Sequence, residues 1–527
     1  MIYHCEDHTC NYWDEGEKLP ERCPQCGRKL LRANEADMTG DDWTALGNTL
    51  WDAEASDKKR MVDCFRKAAY LGSAWGVCNL GICMEQGNGV EADPVQAFWL
   101  YQQAVEMGSL NAVCCLGVCY QYGIGTAPDA KQAAELYCKA AEYGSPRGQM
   151  LLARAFHDGI GVEADAAEAV YWVRAAAYQR YGEGMHRLGV CYEYGDGVEQ
   201  NWERAVHWFR EAAESGVGVA MTDLGYCYEK GCGVEQSWEQ AFSWYRRGAE
   251  CGYPVSMSNL GLCYKRGYGV DQNWQEAIKW YEQGAQCGNL QSMHNLACCY
   301  EHGEGVEQNM TEAIRWYTAA AEGGNADDMY ELGWQYDHGE GVEQDMKKAI
   351  CWYERAAEQN HPAAMNSLGE CYAMGRGVPR DLETAMEWYR RAAELGEAMA
   401  DYNMGWHLEQ AGKLSEAYTH YRKAADGNDD SAWWALGRFY ENGVVVAQDG
   451  KEARRCYETG EKLGSVKCKM RLARCKLLGI GGRRAKKAGL DLCRQALELA
   501  KESSEKEDYG YEAEMNLLRR TIAENES

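Results

Sequence analysis

The sequence predicts an all-α protein, a right-handed α-α superhelical solenoid of about a dozen 36-residue helix-loop-helix repeats. The phrase LGVCYEYGDGV at 188–198 returns as LGYCYEKGCGV at 224–234 and as LGLCYKRGYGV at 260–270. Its leucine recurs every 36 residues from Leu80 to Leu368, and Met404 takes the next position. Leu46, Leu436 and Leu472 continue the series at less regular steps. Atypical copies near both ends are what a repeat array needs as caps.

Residues with strong positional preferences keep the same phase and delimit two helices in every repeat. Proline favours the first turn of the first helix, at Pro146, Pro254 and Pro362. Glycine, which adopts a left-handed C-cap at low cost, ends that helix at Gly195, Gly231, Gly267, Gly303, Gly339 and Gly375. N-cap residues start the second helix at Asp93, Asp129, Asp165, Asn201, Ser237, Asn273, Asn309, Asp345 and Asp381. Each repeat is therefore expected to be helix, glycine loop, helix and turn.

Two repeated columns are expected to be core rather than binding sites. Cysteine stands three residues after the leucine at Cys83, Cys119, Cys191, Cys227, Cys263, Cys299, Cys371 and Cys475. This position lies near the leucine face, so we expect buried, unpaired thiols that pack as small hydrophobic groups. Tryptophan recurs in the second helix at Trp172, Trp208, Trp244, Trp280, Trp316, Trp352 and Trp388. A tryptophan at one phase in every copy is typical of packing.

The repeated pattern A-M-x-x-L-G-x-x-Y-x-x-G-x-G-V, followed by A-x-x-W-Y-x-x-A-A-E-x-G, resembles the Sel-one-like repeat family, which is related to the tetratricopeptide repeats. The resemblance covers roughly residues 40–480 and weakens at 401–435, where HLEQAGKLSEAY replaces the glycine loop. It implies an adaptor that gathers other proteins into complexes, and the leading hypothesis is a cytosolic, bacterial, non-enzymatic scaffold. A hydrolase-like enzyme is an alternative, because some relatives have been credited with that activity.

Four cysteines before the repeats have the spacing of a metal site. Cys5, Cys10, Cys23 and Cys26 form a C-x4-C-x12-C-x2-C pattern, and two thiolate pairs suit a tetrahedral structural zinc ion. The segment resembles zinc-ribbon or rubredoxin-like modules, especially through ERCPQCG, although the first pair is more widely spaced. His8 is an alternative second ligand, and iron or free thiols are alternatives to zinc.

Positions opposite the leucine face of the first helix vary from copy to copy. Counting at 100° per residue places them one before the leucine and two, five and six after it. In related solenoids this helix lines the concave surface, so a protein or peptide partner is expected there. The candidate binding residues are Tyr194, Tyr226, Asn259, Arg266, Asn295, His302, Trp334, His338 and Trp406. The tryptophans carry most of this prediction, since solvation explains exposed tryptophan poorly.

The charge balance limits the class of partner. The chain has 55 basic and 81 acidic residues, a net charge of −26, which makes nucleic acid or an anionic membrane an improbable main partner. Residues 465–487 reverse the pattern with nine basic and no acidic side chains. A nucleic-acid-associated regulator that uses this edge and the zinc segment is therefore kept as a second alternative.

The sequence also suggests a location and a division into domains. The start of the chain shows no signal-peptide pattern and no run is long enough to span a membrane, so a cytoplasmic location is expected. We expect a metal-binding module at 1–36, the repeat solenoid at 37–484 and C-terminal capping helices at 485–527.

Overall fold

The computed structural model describes residues 2–5, 13–15, 30–32, 35, 38–51, 55–506 and 511–526. Near the N-terminus it gives a small antiparallel sheet, in the order β2-β1-β3. Its strands are β1 (Ile2–Cys5), β2 (Trp13–Glu15) and β3 (Leu30–Arg32). Everything else that is regular in the described chain is α-helical.

The chain divides into two compact units, Met1–Gly284 and Ala285–Ser527, which we call unit 1 and unit 2. The boundary falls within α14 (Trp274–Gln286). The preceding helices are α1 (Gly40–Thr49), α2 (Ala55–Tyr70), α3 (Ala74–Gln86), α4 (Pro94–Glu106), α5 (Leu110–Tyr122), α6 (Ala130–Glu142), α7 (Pro146–Asp158), α8 (Ala166–Tyr178), α9 (Gly182–Tyr194), α10 (Trp202–Glu214), α11 (Gly218–Lys230), α12 (Trp238–Glu250) and α13 (Pro254–Arg266).

Unit 2 continues the same alternation of first and second helices. Its helices are α15 (Leu290–His302), α16 (Met310–Glu322), α17 (Ala326–His338), α18 (Met346–Glu358), α19 (Pro362–Met374), α20 (Leu382–Glu394), α21 (Ala398–Gln410), α22 (Leu414–Asp426), α23 (Asp430–Asn442), α24 (Gly450–Lys462), α25 (Val466–Leu478), α26 (Lys486–Lys506) and α27 (Glu512–Glu526). The predicted α-solenoid of helix pairs is confirmed.

The predicted caps form these helices. Every predicted N-cap side chain accepts a backbone N–H from the first turn, as Asn201 does from Arg204 at 2.9 Å. The glycine after each first helix has a left-handed φ, for example +76° at Gly195. The irregular repeat lacks this glycine: α21 ends at Ala411 in a right-handed conformation and leads directly into α22. Local sequence thus determines where most helices begin and end.

The core of a repeat is a tyrosine packed on a glycine, a pairing that the sequence analysis missed. Fully buried tyrosines recur in the second helices at Tyr101, Tyr137, Tyr245, Tyr281, Tyr317, Tyr353, Tyr389, Tyr421 and Tyr457. In most copies the ring lies on the glycine that follows the repeat leucine. A Cβ on Gly225 would lie 2.6 Å from the ring of Tyr245. This explains why the leucine is so often followed by glycine within a helix, where glycine is otherwise unfavourable.

The cysteine column is buried, as predicted. All eight thiols are at most 2% exposed and none is in a disulfide. Burial raises the pKa of Cys263 to about 12, because a desolvated thiolate is costly. The column packs the interior and takes no part in redox pairing. Among the described helices, none is long and apolar enough to cross a membrane.

Candidate functional site

The first helices of three consecutive repeats in unit 2 form a groove of about 750 Å³. They are α17, α19 and α21, and buried tyrosines of α18 and α20 lie at its base. The groove is lined by Tyr330, Trp334, Asp337, His338, Tyr353, Ala363, Asn366, Ser367, Glu370, Met374, Arg376, Tyr389, Glu397, Met399, Tyr402, Asn403, Trp406 and His407. We call it the unit 2 groove.

Aromatic side chains at both ends of the groove are held by contacts within the protein. The imidazole of His338 stacks on Trp334 at 4.3 Å and its Nδ1 donates to the carbonyl of Trp334 at 2.9 Å. Trp334 is therefore half-buried. Trp406 is 37% exposed and meets the ring of His407 edge-on at 4.7 Å. Fixed rings lose little conformational entropy when a ligand packs on them.

Carboxylates outnumber cations in the groove. Arg376 pairs with Asp337 at 2.8 Å and lies 3.9 Å from Glu370. Glu397 adds a third acidic group, while burial and nearby Arg380 lower the pKa of His407 and keep it neutral. One guanidinium thus faces three carboxylates, which favours a partner with positive charge.

The structure brings three of the predicted binding residues together, namely Trp334, His338 and Trp406. Asn295 and His302 lie on α15 of the same unit but outside the groove. Tyr194, Tyr226, Asn259 and Arg266 belong to unit 1. Of these, Tyr194 and Tyr226 are strongly exposed on α9 and α11.

The sequence analysis missed two tyrosines of the groove. Tyr330 and Tyr402 stand two positions before the repeat leucine or its methionine, a column that it did not include. Tyr330 stacks on His361 of the next repeat at 4.9 Å. The available signal was that aromatic residues occupy this column in two repeats whose tryptophans were already chosen.

A second cavity of about 440 Å³ lies in unit 1 between α7, α8 and α9. Its apolar floor includes Val173, which occupies the position of the core tyrosine of other repeats and leaves space. Arg154, Arg187 and Arg147 line its walls. The charges largely neutralise one another: Arg154 pairs with Asp158, Arg187 with Asp196, and His157 lies between both aspartates at 2.7 and 3.2 Å. The unit 2 groove is therefore the stronger candidate.

The basic segment at 465–487 is partly neutralised by its surroundings. Arg471 contacts both carboxylate oxygens of Glu514 at 2.6 and 2.7 Å, and it lies 3.4 Å from Glu441. Arg474 also pairs with Glu441. Burial lowers the pKa of Lys467. These cations hold unit 2 together, which weakens the interpretation as a nucleic-acid surface.

The predicted metal ligands mostly lie outside the described residues. Cys5 is the last residue of β1, whereas His8, Cys10, Cys23 and Cys26 are not described. Within the described part of the chain no cluster of metal-ligating side chains occurs. The zinc site stays a prediction.

Comparison with known proteins identifies the family of the repeats. Eleven segments match the Sel1 repeat: 76–109, 112–145, 146–181, 182–217, 218–253, 254–289, 290–325, 326–361, 362–397, 398–429 and 432–465. A protective antigen of uropathogenic Escherichia coli with an SLR fold is 29% identical, with a TM-score of 0.56, covering 88% of this chain and 94% of that one. A Sel1 repeat protein from Oxalobacter formigenes is also 29% identical, with a TM-score of 0.41, covering 46% of this chain and 96% of that one. No curated protein matches the sequence.

Proposed function

The chain belongs to the Sel1 repeat family and has the fold of a protein-interaction scaffold, and we propose that it acts as a non-enzymatic adaptor that holds a partner segment in the unit 2 groove. The observation that carries this proposal is that Trp334 and Trp406 line the same groove. Tryptophan and tyrosine in a concave site are the residues that most often dominate protein–protein binding energy.

The groove chemistry defines the partner class. Apolar side chains fit between the tryptophans and the methionines Met374 and Met399. Lysine or arginine pairs with Glu370 and Glu397, and a cation over an indole face gains further electrostatic attraction. We therefore propose an extended peptide segment with alternating apolar and basic residues, for which the acidic chain as a whole is complementary.

The groove offers no arrangement for nucleophilic catalysis. His338 uses Nδ1 on a backbone carbonyl, and His407 lies against the rings of Tyr389 and Trp406. Neither histidine is paired with the groove's Ser367 in the described structure. The hydrolase alternative gains no support from this site, and a cytoplasmic location stays a prediction.

Peptide selection tests this proposal directly. A library of displayed random dodecapeptides is selected on the wild-type chain, on Trp334→Ala/Trp406→Ala and on Trp75→Ala/Trp99→Ala. The last variant is a matched control, because Trp75 and Trp99 are exposed tryptophans of α3 and α4 outside the groove. Wild type is expected to enrich basic-apolar peptides whose Kd rises at least about tenfold in the groove variant and is unchanged in the control, since a lost hot-spot anchor costs 2 kcal/mol or more. Peptides that bind the groove variant and the wild type equally would place the site elsewhere.

We also propose that Cys5, Cys10, Cys23 and Cys26 hold one structural zinc ion, with His8 as the alternative to Cys10 and iron as the alternative metal. The spacing of the four cysteines supports this proposal. A site closed by four protein ligands leaves no position for catalysis, so its role is structural.

A further inference from the structure

A thiol, an imidazole and a carboxylate form a hydrogen-bonded relay in unit 2, outside the groove. The Sγ atom of Cys298 on α15 lies 3.5 Å from Nε2 of His294. The other ring nitrogen of His294, Nδ1, lies 2.7 Å from Oδ1 of Asp328 on α17. The carboxylate thus holds one side of the imidazole and directs the other side at the sulfur, the order of groups that activates nucleophiles in proteins.

The carboxylate of this relay departs from the repeat. Asp328 stands four residues before the leucine, where only the first copy, with Asp42, also has an aspartate and ten other copies have a small residue: Gly76, Ala112, Gly148, Gly184, Ala220, Ser256, Ser292, Ala364, Ala400 and Ala432. Its side chain is fully buried, and its Oδ2 atom has no hydrogen-bond partner. Burying a carboxylate is costly unless a charged partner compensates. His294 offsets part of that cost, but burial still raises the pKa of Asp328. Packing alone does not explain an aspartate at this position.

The histidine is protonated at neutral pH. The hydrogen bond with Asp328 and then that with Cys298 outweigh the effect of burial and together raise the pKa of His294 to about 10. Both ring nitrogens of an imidazolium donate, one to Asp328 and one to the sulfur. An imidazolium in contact with sulfur stabilises the negative charge that the sulfur carries as it attacks.

Other charged groups around the thiol act in the opposite direction but at longer range. The hydroxyl of Tyr317 lies 3.4 Å from the sulfur and donates its proton to Glu301 at 2.6 Å, so it donates no hydrogen bond to the sulfur. Glu331 and Asp327 add negative charge around the histidine and aspartate. The imidazolium touches the sulfur and these carboxylates do not, so its effect is the larger.

We propose that Cys298 is a modification site, a sulfur that His294 and Asp328 activate and that attacks small hydroperoxides as the thiolate. The sulfur attacks the terminal oxygen of the hydroperoxide, so an S–O bond forms while the O–O bond breaks. The leaving alkoxide takes the Nε2 proton of His294. The products are Cys298 sulfenic acid, an alcohol (water from hydrogen peroxide) and neutral His294. Sulfur is oxidised and peroxide oxygen is reduced, with no further reactant.

The chain supplies internal controls for this proposal. Cys298 is half-buried, so it is less accessible than the exposed cysteines Cys251, Cys287 and Cys351. If access alone set the rate, the three exposed cysteines would react first. A similar pair occurs around His186, whose imidazole contacts Asp223 at 2.7 Å. Val190 stands there in place of the thiol, so this repeat contains no competing sulfur.

Site-resolved mass spectrometry of the reduced, folded full-length chain tests the proposal. Sulfenic acid formed by substoichiometric hydrogen peroxide is trapped with dimedone at pH 6.5. Cys298 is expected to be labelled at least about tenfold faster than Cys287 and Cys351, because His294 stabilises the attacking sulfur. His294→Asn is expected to reduce its rate to that of the exposed cysteines, and Asp328→Asn to an intermediate rate. A Cys298 rate that is no higher than theirs would overturn the proposal.

The comparison of labelling rates at Cys298, Cys287 and Cys351 in the wild-type chain needs no substitution, so it stays decisive if a variant fails to fold.

Discussion

The acidic N-cap residues Asp381 and Asp429 make the same kind of hydrogen bond, but their pKa values shift in opposite directions. Asp381 is exposed, and hydrogen bonds from the side chain and backbone of Thr384 lower its pKa. Asp429 makes the same kind of bond, accepting from the N–H of Ala432 at 2.7 Å, but it is half-buried. Desolvation, with a smaller contribution from Asp430, raises its pKa to about 6. A repeated residue therefore changes its chemistry with its depth in the stack.

Asp429→Asn is expected to stabilise the protein at pH 7.5 and to have little effect at pH 4. A carboxyl whose pKa is raised on folding adds stability below its unfolded pKa and loses it as the pH rises through about 6. Asparagine caps a helix equally well without the charge. We expect a gain of about 1–2 kcal/mol at pH 7.5 from chemical unfolding.

Asp449→Asn, at the exposed N-cap of α24, is the control for this prediction. Its expected effect is below about 0.5 kcal/mol at either pH, as for most surface changes. An Asp429→Asn variant that is less stable than wild type at pH 7.5 would contradict the desolvation argument.

At the scale of helices, the C-terminal element is held by charge as well as by apolar packing. Arg471 of α25 contacts Glu514 of α27 through two parallel hydrogen bonds and also approaches Glu441 of α23. The side chains of Arg471 and Glu514 are 14% and 8% exposed. A buried bidentate pair is directional, so it fixes how α27 docks on the last repeat.

Arg471→Ala is expected to release α27 while the other helices stay folded. The change leaves Glu514 buried without its partner, which costs about 3–5 kcal/mol. Amide hydrogen exchange should accelerate in residues 512–526. Arg455→Ala is the control, because Arg455 is exposed and its contact with Glu452 adds little. Unchanged exchange in α27 would show that apolar packing alone holds it.

At the scale of the whole molecule, the net acidic charge limits which partners bind. The repeat construction determines which segments can be removed while the rest stays folded. A net charge of −26 opposes phosphate backbones over most of the chain, with the basic segment at 465–487 as the exception. A repeat array is stabilised mainly by contacts between neighbouring repeats, so removing one terminal element leaves the rest folded. The N-terminal cysteines provide a test of this construction.

Removing the N-terminal metal is expected to leave the solenoid intact. Purified protein should hold one zinc ion per chain by elemental analysis, and Cys23→Ser/Cys26→Ser should hold less than about a tenth of that, because zinc needs four protein ligands here. The helical circular dichroism should stay within about 10% of wild type, since helix pairs stabilise one another. Cys251→Ser/Cys287→Ser is the control for cysteine loss. Equal zinc in both variants would refute the site.

The sequence by itself determined the repeat, the helix boundaries and the buried cysteine column of this protein. These features depend on local preferences, such as glycine at a left-handed cap and aspartate at an N-cap, and on a fixed hydrophobic period. Trp334 and Trp406 were recognised because tryptophan is unusual at positions that are expected to face solvent. Preferences that act within a few residues can be recognised from the sequence without a structure.

The tertiary structure alone decided which variable residues meet. Tyr330 and Tyr402 were missed because their column, two residues before the repeat leucine, was left out, although 100° per residue places it opposite the leucine face; both tyrosines line the groove. The pairing of Arg376 with Asp337, and of His294 with Asp328, joins side chains from neighbouring repeats. Such contacts depend on distances between helices, which the period of one helix does not contain.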